Sequence, residues 1–446
     1  MRIDKIEIRN FKKFAEQTIE LDTKFTLLLG ENGSGKTSAL DALAVASGVW
    51  LVRELLPDSS LLGSSRPIYR PEIRLVPAQQ GDRTLFQEAE GGSAVTAQGR
   101  IGDRDGIVWT RRLNPDSQAT DNTGAKEAMT IIQKMFGEAR ANGQVLLPVI
   151  AYYTAGRRWL PYYPRKRPLR RLSVQARRWA AFYKCLKGRL RVKDLTEWFK
   201  DEVIAAVKRG GKFRPGFDVV RRAVRACVPD ADDIWYDGDF DEIVLSVNRE
   251  PQPFRNLSAG QAMMMALVAD IAMKAVIQNN FLVPPQELTA EDDQTPRVLA
   301  QTPGVVLIDE LEVHLHPRWQ RRIASDLKRT FPNIQFVCTS HSPQVIGELK
   351  PDEIRVLDEP HAGKRPAHSF GLDSNAILEE VLDAESRSQS GREAIDAVEK
   401  ALDAGDLDAA RARLEELKRL QGGETRDTTR LEATINNLEA LADAGD

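Results

Sequence analysis

Four short stretches of this chain carry residue types able to act on a phosphate. Gly30-Glu31-Asn32-Gly33-Ser34-Gly35-Lys36-Thr37, followed by Ser38, places three glycines in eight positions. So many glycines let the backbone curl until several N–H groups converge on one anion. Lys36 is then spaced to reach β- and γ-phosphate oxygens, and Thr37 to offer its hydroxyl to Mg²⁺. Val305 to Ile308 is wholly apolar and ends in Asp309-Glu310. Such a run reads as a strand buried on both faces, with the two acids at its C-terminal edge. Asp309 would hold Mg²⁺ directly or through water, and Glu310 would polarise an attacking water as a general base. Leu257-Ser258-Ala259-Gly260-Gln261 precedes a helical run from Met263 to Val276. Its hydroxyl and free N–H groups could bind an anion, or Ser258 could simply cap its own helix. Cys338-Thr339-Ser340-His341-Ser342-Pro343 closes a further run, Ile334 to Cys338, apolar except for Gln335. His341 therefore stands at the same kind of strand end as the acids.

The elements that must position these groups follow from periodicity. Phe25 to Leu29 reads as a strand ahead of the glycine loop, and Ser38 to Ala46 as the helix behind it. Ile6 and Ile8 alternate with Lys5, Glu7 and Arg9, and Ile19 and Leu21 with Thr18, Glu20 and Asp22. The spacing predicts two antiparallel strands, with Ile3 out of step. Residues 70–113 read as β-rich, Lys126 to Ala139 as a helix, and Val145 to Tyr153 as a buried strand. Residues 157–228 read as a basic helical insert containing the amphipathic stretch Val192 to Val207. Ile234 to Val247 suggests a hairpin, Pro284 to Pro303 a surface loop, and Arg318 to Thr330 a helix. After Asn375 three helical stretches, Glu393 to Ala404, Leu407 to Leu420 and Thr425 to Leu441, are separated by Gly405 and Gly422-Gly423.

The 446 residues suffice for two or three domains, and 42% hydrophobic with 29% charged content suits a soluble globular chain. A net charge of −2 decides nothing about nucleic acid, since patches bind phosphates. Cys185, Cys227 and Cys338 are too dispersed for a metal site or a disulfide framework, which fits a reducing cytoplasm. Met1 to Asn10 has no apolar signal core, and no stretch approaches twenty apolar residues, so no membrane span is expected. His314 and His316 have ligand-like spacing, but no third ligand is evident nearby.

The order of motifs from Met1 to Leu357 resembles that of ABC-type ATPases. Leu257 to Gln261 is similar to their LSGGQ signature, with Ala259 in the first Gly position. The resemblance implies that Ser258 and its helix contact the γ-phosphate held by another protomer. It also implies that His341 senses that phosphate, and that Leu311 to Pro317 is the D-loop region facing the partner. The Q-loop glutamine stays open among Gln79, Gln80 and Gln87. The opening RIDKIEIRNFKKF resembles the SMC, RecF and OLD branch, making Phe11, Lys12 and Lys13 candidates for contact near the base. No long heptad array is present, unlike SMC, and no Toprim-type carboxylate set follows His341, unlike OLD nucleases. AYYTAGRRW, DLTEWFKDE, LIDELEVHLHPRWQRRIASDLKRTFPNIQFVCTSHSPQVI and LDSNAILEEVL resemble the bacterial AAA-type group that includes the ATPase subunits of Septu and some retron anti-phage systems. That group usually has Gly-Thr where Thr154-Ala155 stand.

The resemblance implies an α/β fold: an ABC-type P-loop ATPase core with an antiparallel β lobe, a helical insert and a C-terminal helical hairpin. Residues 1–156 and 230–375 would form the split ATPase domain, 157–229 the insert and 376–446 an acidic partner-binding region. It further implies Mg²⁺ and ATP as ligands, and an ATP-sandwiched homo-oligomer, a dimer or higher. A separate HNH-type nuclease partner would dock on the C-terminal helices. A RecF-like DNA-binding repair ATPase is the alternative. Arg157 to Arg178 holds nine basic residues, no acid, and Trp159, Tyr162 and Tyr163. Arg165, Lys166, Arg167, Arg170 and Arg171 are candidate nucleic-acid contacts, though the stretch would serve equally as a solvated loop. The tail from Ala376 carries eighteen acids against nine basic groups.

Overall fold

The computed structural model describes residues 1–57, 61, 63–80, 83–117, 119–141, 143–156, 178–188, 190, 192–283, 295–358 and 363–443. It divides into two compact units, Met1–Ile377 and Leu378–Asp446. In the first, five parallel strands form the central sheet: β3 (Phe25–Leu29), β8 (Val149–Tyr153), β12 (Gly304–Ile308), β13 (Ile334–Thr339) and β14 (Ile354–Val356). Their order is β14-β3-β13-β12-β8. Every residue of β3, β8, β12 and β13 is buried, as their near-continuous apolar runs require. Helix α1 (Lys36–Ser47) follows β3 directly across the glycine loop.

The antiparallel lobe is a four-stranded sheet in the order β2-β1-β6-β7, from β1 (Arg2–Phe11), β2 (Phe14–Glu20), β6 (Ser93–Ile101) and β7 (Arg104–Leu113). The ribbon β4 (Leu75–Gln80) and β5 (Arg83–Glu88) stands apart as its own two-stranded sheet and carries Gln79, Gln80 and Gln87. Two irregularities of the sequence have one cause. The register of β1 against β6 shifts between Ile3 and Lys5, and there the Ile3 N–H donates to Gln335 Oε1 at 2.9 Å. Gln335 Nε2 returns hydrogen bonds to Ile3 O at 2.7 Å and Asp22 O at 2.8 Å. The single polar residue of an apolar strand thus fastens the lobe to the central sheet, and its amide is fully paired despite burial.

Within residues 157–228, helices α3 (Val192–Val207) and α4 (Pro215–Cys227) are formed. Arg165, Lys166, Arg167, Arg170 and Arg171 lie outside the described residues. Strands β9 (Ala231–Asp237) and β10 (Glu242–Val247) make the expected hairpin, which gains a third strand, β11 (Glu250–Pro253). Helix α5 (Ala259–Gln278) is 20 residues long and apolar enough to cross a membrane by length and composition. It is instead a core helix, packed against α4 and β8, with Met263 to Ile271 all buried. Of the loop expected from Pro284 to Pro303, residues 284–294 lie outside the described set, and Arg297–Gln301 is a short helix.

Among its described residues the C-terminal unit holds three α-helices rather than a hairpin: α7 (Gln389–Asp403), α8 (Leu407–Gln421) and α9 (Arg426–Asp443). In the first unit, helix α6 (Pro317–Thr330) connects β12 to β13. Ile395, Val398, Leu414, Leu417, Leu431 and Ile435 supply most of the unit's core. Gly405 and Gly422 break the helices in the left-handed conformation, at φ 71° and 73°.

Candidate functional site

Sheet order decides which sequence motifs meet. Because β13 lies between β3 and β12, the C-terminal ends of all three converge beside the N-terminus of α1. Gly30, Gly33 and Gly35 adopt φ of +146°, +86° and +104°, conformations open mainly to glycine. A Cβ on Gly35 would lie 2.6 Å from the Phe14 ring, and one on Gly30 would lie 2.5 Å from Ser34 Oγ.

Lys36 is buried, and its ammonium donates to the carbonyls of Gly30 at 2.7 Å and Glu31 at 2.8 Å. Burial pushes its pKa below the ordinary lysine value; the charges of Asp358, Asp309, Glu310 and Glu312 oppose that shift. Both contacts are with carbonyls that a phosphate could replace as acceptor. Ser34 Oγ is buried in the same loop without a hydrogen-bond partner. A loop of converging N–H groups, an ammonium and an unused hydroxyl fits a polyphosphate.

The Thr37 hydroxyl donates to Asp309 Oδ2 at 3.0 Å. Thr37 and Asp309 therefore stand together as a hydroxyl–carboxylate pair, a donor set that suits Mg²⁺. Glu310 lies one residue on, with the left-handed φ of +51°. His341 is exposed, and its backbone N–H donates to Glu312 Oε1 at 2.6 Å. His314 and His316 have structural surroundings instead. His314 is left-handed at φ +66°, and His316 Nδ1 accepts the Arg318 N–H at 3.2 Å to cap α6. Among the described residues no group of three or more His, Cys, Asp or Glu could hold a metal.

The signature stretch occupies a different place. Ser258 Oγ accepts the Gln261 N–H at 3.2 Å, and Gln261 Oε1 accepts the Ser258 N–H at 3.0 Å. This capping box satisfies two free donors of α5. The capping role is thus real, while Ser258 stays exposed and Gln261 half-buried. Leu257 and Ala259 flank it, and Gly260 is buried, its missing side chain leaving room for the His314 carbonyl, which a Cβ would approach to 2.6 Å. Among the described contacts none joins the signature to the phosphate loop. It backs onto the His314 stretch instead.

Asp358 was not singled out by motif reading, and Lys13 and Thr339 take contacts that motif reading did not assign to them. Asp358 accepts the Glu31 N–H through both carboxylate oxygens, at 3.1 and 2.9 Å. Lys13 Nζ donates to Gly33 O at 2.7 Å. Thr339 Oγ1 donates to Asp309 Oδ1 and accepts the Glu310 N–H, each at 2.7 Å. The available signal was position: Asp358 and Thr339 are polar residues just beyond, or closing, apolar runs at the sheet edge that carries the acids.

The parallel sheet, the glycine loop, and the Thr37–Asp309 pair beside Glu310 together make a site fit for a nucleoside polyphosphate and Mg²⁺. Comparison with known proteins finds the following likenesses. A family model described as an AAA domain matches residues 5–202. A second AAA-domain model, described with the AbiEii toxin of a Type IV TA system, matches residues 248–347. The Retron Vc95 probable ATPase of Vibrio cholerae serotype O1 biovar El Tor is 35% identical over 143 residues, 32% of this chain and 25% of that protein. The Septu protein PtuA of Bacillus mycoides (strain KBAB4) is 26% identical over 365 residues, 80% of this chain and 40% of the relative. The chain thus spans well under half the length of these relatives. A solved SMC head, bound to the C-winged helix domain of ScpA, is 16% identical with a TM-score of 0.45, over 83% of this chain and 99% of that one. The likeness to the Septu and retron ATPases is borne out by the first two of these relatives.

Proposed function

We propose that this chain binds and hydrolyses Mg·ATP, pairs with a second copy around the nucleotide, and thereby regulates an associated nuclease in anti-phage defence. The observation that carries the reading is the meeting of Lys36, Thr37, Asp309 and Glu310 at one sheet edge, supported by the exposed signature backed against His314. Gly30 to Ser38 cradle the phosphates, and Lys36 leaves its two carbonyls to bind their oxygens. Thr37 and Asp309 hold Mg²⁺, which supplies charge neutralisation to the phosphates when bound. Glu310 takes the proton of the attacking water, and His341 reports the presence of the terminal phosphate. Ser258 and Gly260 of one copy cap the phosphate held by the other, giving a dimer or higher assembly.

The relatives named Septu and retron support the defence role, with the three-helix unit as the docking site for an HNH-type nuclease. Arg165, Lys166, Arg167, Arg170 and Arg171 would add DNA contact through phosphate neutralisation. Association is tested first. Glu310→Gln protein, blocked in turnover, should double its mass or more in saturating Mg·ATP, as read by light scattering. A protein that stays monomeric there would falsify the shared-nucleotide reading. Removal of Arg392 to Asp446 should abolish co-purification with the nuclease and leave nucleotide binding intact.

A further inference from the structure

We propose that Thr339 is the positioning residue of the nucleotide site, one hydroxyl holding both Asp309 and Glu310 in working register. The inference rests on the hydrolytic reading above and deepens it. Thr339 closes β13 and is 1% exposed. A hydroxyl has one proton, and here it goes to Asp309 Oδ1 at 2.7 Å. Its lone pairs then receive the Glu310 N–H, also at 2.7 Å. The Thr339 carbonyl accepts the N–H of the next residue, Leu311, at 2.9 Å. Three consecutive residues of the acid-bearing turn are therefore fixed by one threonine.

Each bond has a consequence at the reacting edge. With Oδ1 held by Thr339, Asp309 turns Oδ2 to the Thr37 hydroxyl at 3.0 Å. The bond to the Glu310 amide holds that residue at φ +51°, a backbone region that L-residues seldom occupy. Without it, Glu310 would relax toward ordinary conformations and its carboxylate would swing from the water it is meant to polarise. The β-branched side chain matters too, because its γ-methyl narrows the rotamers open to the hydroxyl. Strand order makes the arrangement specific to this position. Thr339 pairs in register with Leu28 of β3, and the preceding Cys338 with Ile308 of β12, so it bridges the loop-bearing and acid-bearing strands.

The test uses the full-length chain. Thr339→Val keeps shape and burial but loses the hydroxyl. Its kcat for ATP should fall about 10- to 100-fold, the usual range for partners that orient a metal site. The Mg²⁺ concentration for half-maximal rate should rise. Affinity for a fluorescent ATP analogue in EDTA should change less than about threefold, since Lys36 and the loop are untouched. Thr339→Ser should recover most of the rate. Thr339→Ala, which adds no bulk, is read in the same way if the valine variant does not fold. A kcat within about twofold of the parent overturns the proposal. So does equal loss in the serine and valine variants together with lost EDTA binding, the mark of a purely structural role. Glu310→Gln runs alongside: normal turnover there removes the hydrolytic reading and this inference together. An inactive Glu310→Gln beside a normal Thr339→Val removes only the positioning role.

Discussion

The edge of the central sheet and the C-terminal three-helix unit use polar residues in opposite ways. At the sheet edge Lys36, Asp309 and Thr339 are 8%, 5% and 1% exposed, and hydrogen bonds account for their positions. In the C-terminal unit the charged pairs Arg411–Glu439 and Arg430–Glu399 lie toward solvent around a small apolar core. A buried polar group that loses its partner bears its full desolvation cost, whereas an exposed pair exchanges partners with water. The first region is therefore sensitive atom by atom, and the second mainly to its core residues.

Three substitutions sharpen or break that contrast. Lys36→Ala should have the largest effect, a loss of nucleotide affinity of about 100-fold or more, as expected when a desolvated charge contact to phosphate is removed. Equilibrium binding of a fluorescent analogue measures it, and near-parental affinity would break the contrast outright. Gly260→Ala should act more selectively, because its Cβ would meet the His314 carbonyl at 2.6 Å. Nucleotide binding by the isolated loop should persist while turnover falls about tenfold, the signature of a misplaced group remote from the loop. Loss of binding and turnover in equal measure would contradict a separate signature surface. Leu414→Ala should leave nucleotide affinity unchanged and take about 2–4 kcal/mol from the C-terminal unit, where Leu414 is 2% exposed. Chemical denaturation of the full chain, followed by a probe on α8, reads this out. Altered nucleotide binding would show that the two units are not independent in their energetics.

Much of this was legible along the chain because local pattern controls it. Phe25–Leu29 and Gly304–Ile308 are strands where apolar runs predict them, and α2 (Lys126–Arg140) follows its helical period within a residue. The glycine breaks of the C-terminal unit were equally plain. Less legible was the extent of α5, which begins at Ala259 and ends at Gln278, beyond the predicted run from Met263 to Val276, since helix ends are set by capping and packing as well as by period. Ile3 and Gln335 looked like unrelated exceptions, being 332 residues apart and joined only by a side-chain amide. Asp358 gave no motif, for its partner is a backbone N–H at Glu31.

The order of residues alone set the chemistry available: a loop for phosphates, a lysine, a hydroxyl, two adjacent acids and a histidine at strand ends. Residue type and local spacing suffice there, because side-chain chemistry and short-range backbone preference are local. Only the folded sheet decided that Thr37 and Asp309, 272 residues apart, would share a hydrogen bond. The same sheet set the Thr339 hydroxyl between the Asp309 carboxylate and the Glu310 N–H. Strand order depends on packing across the whole core, and no period in the sequence encodes it.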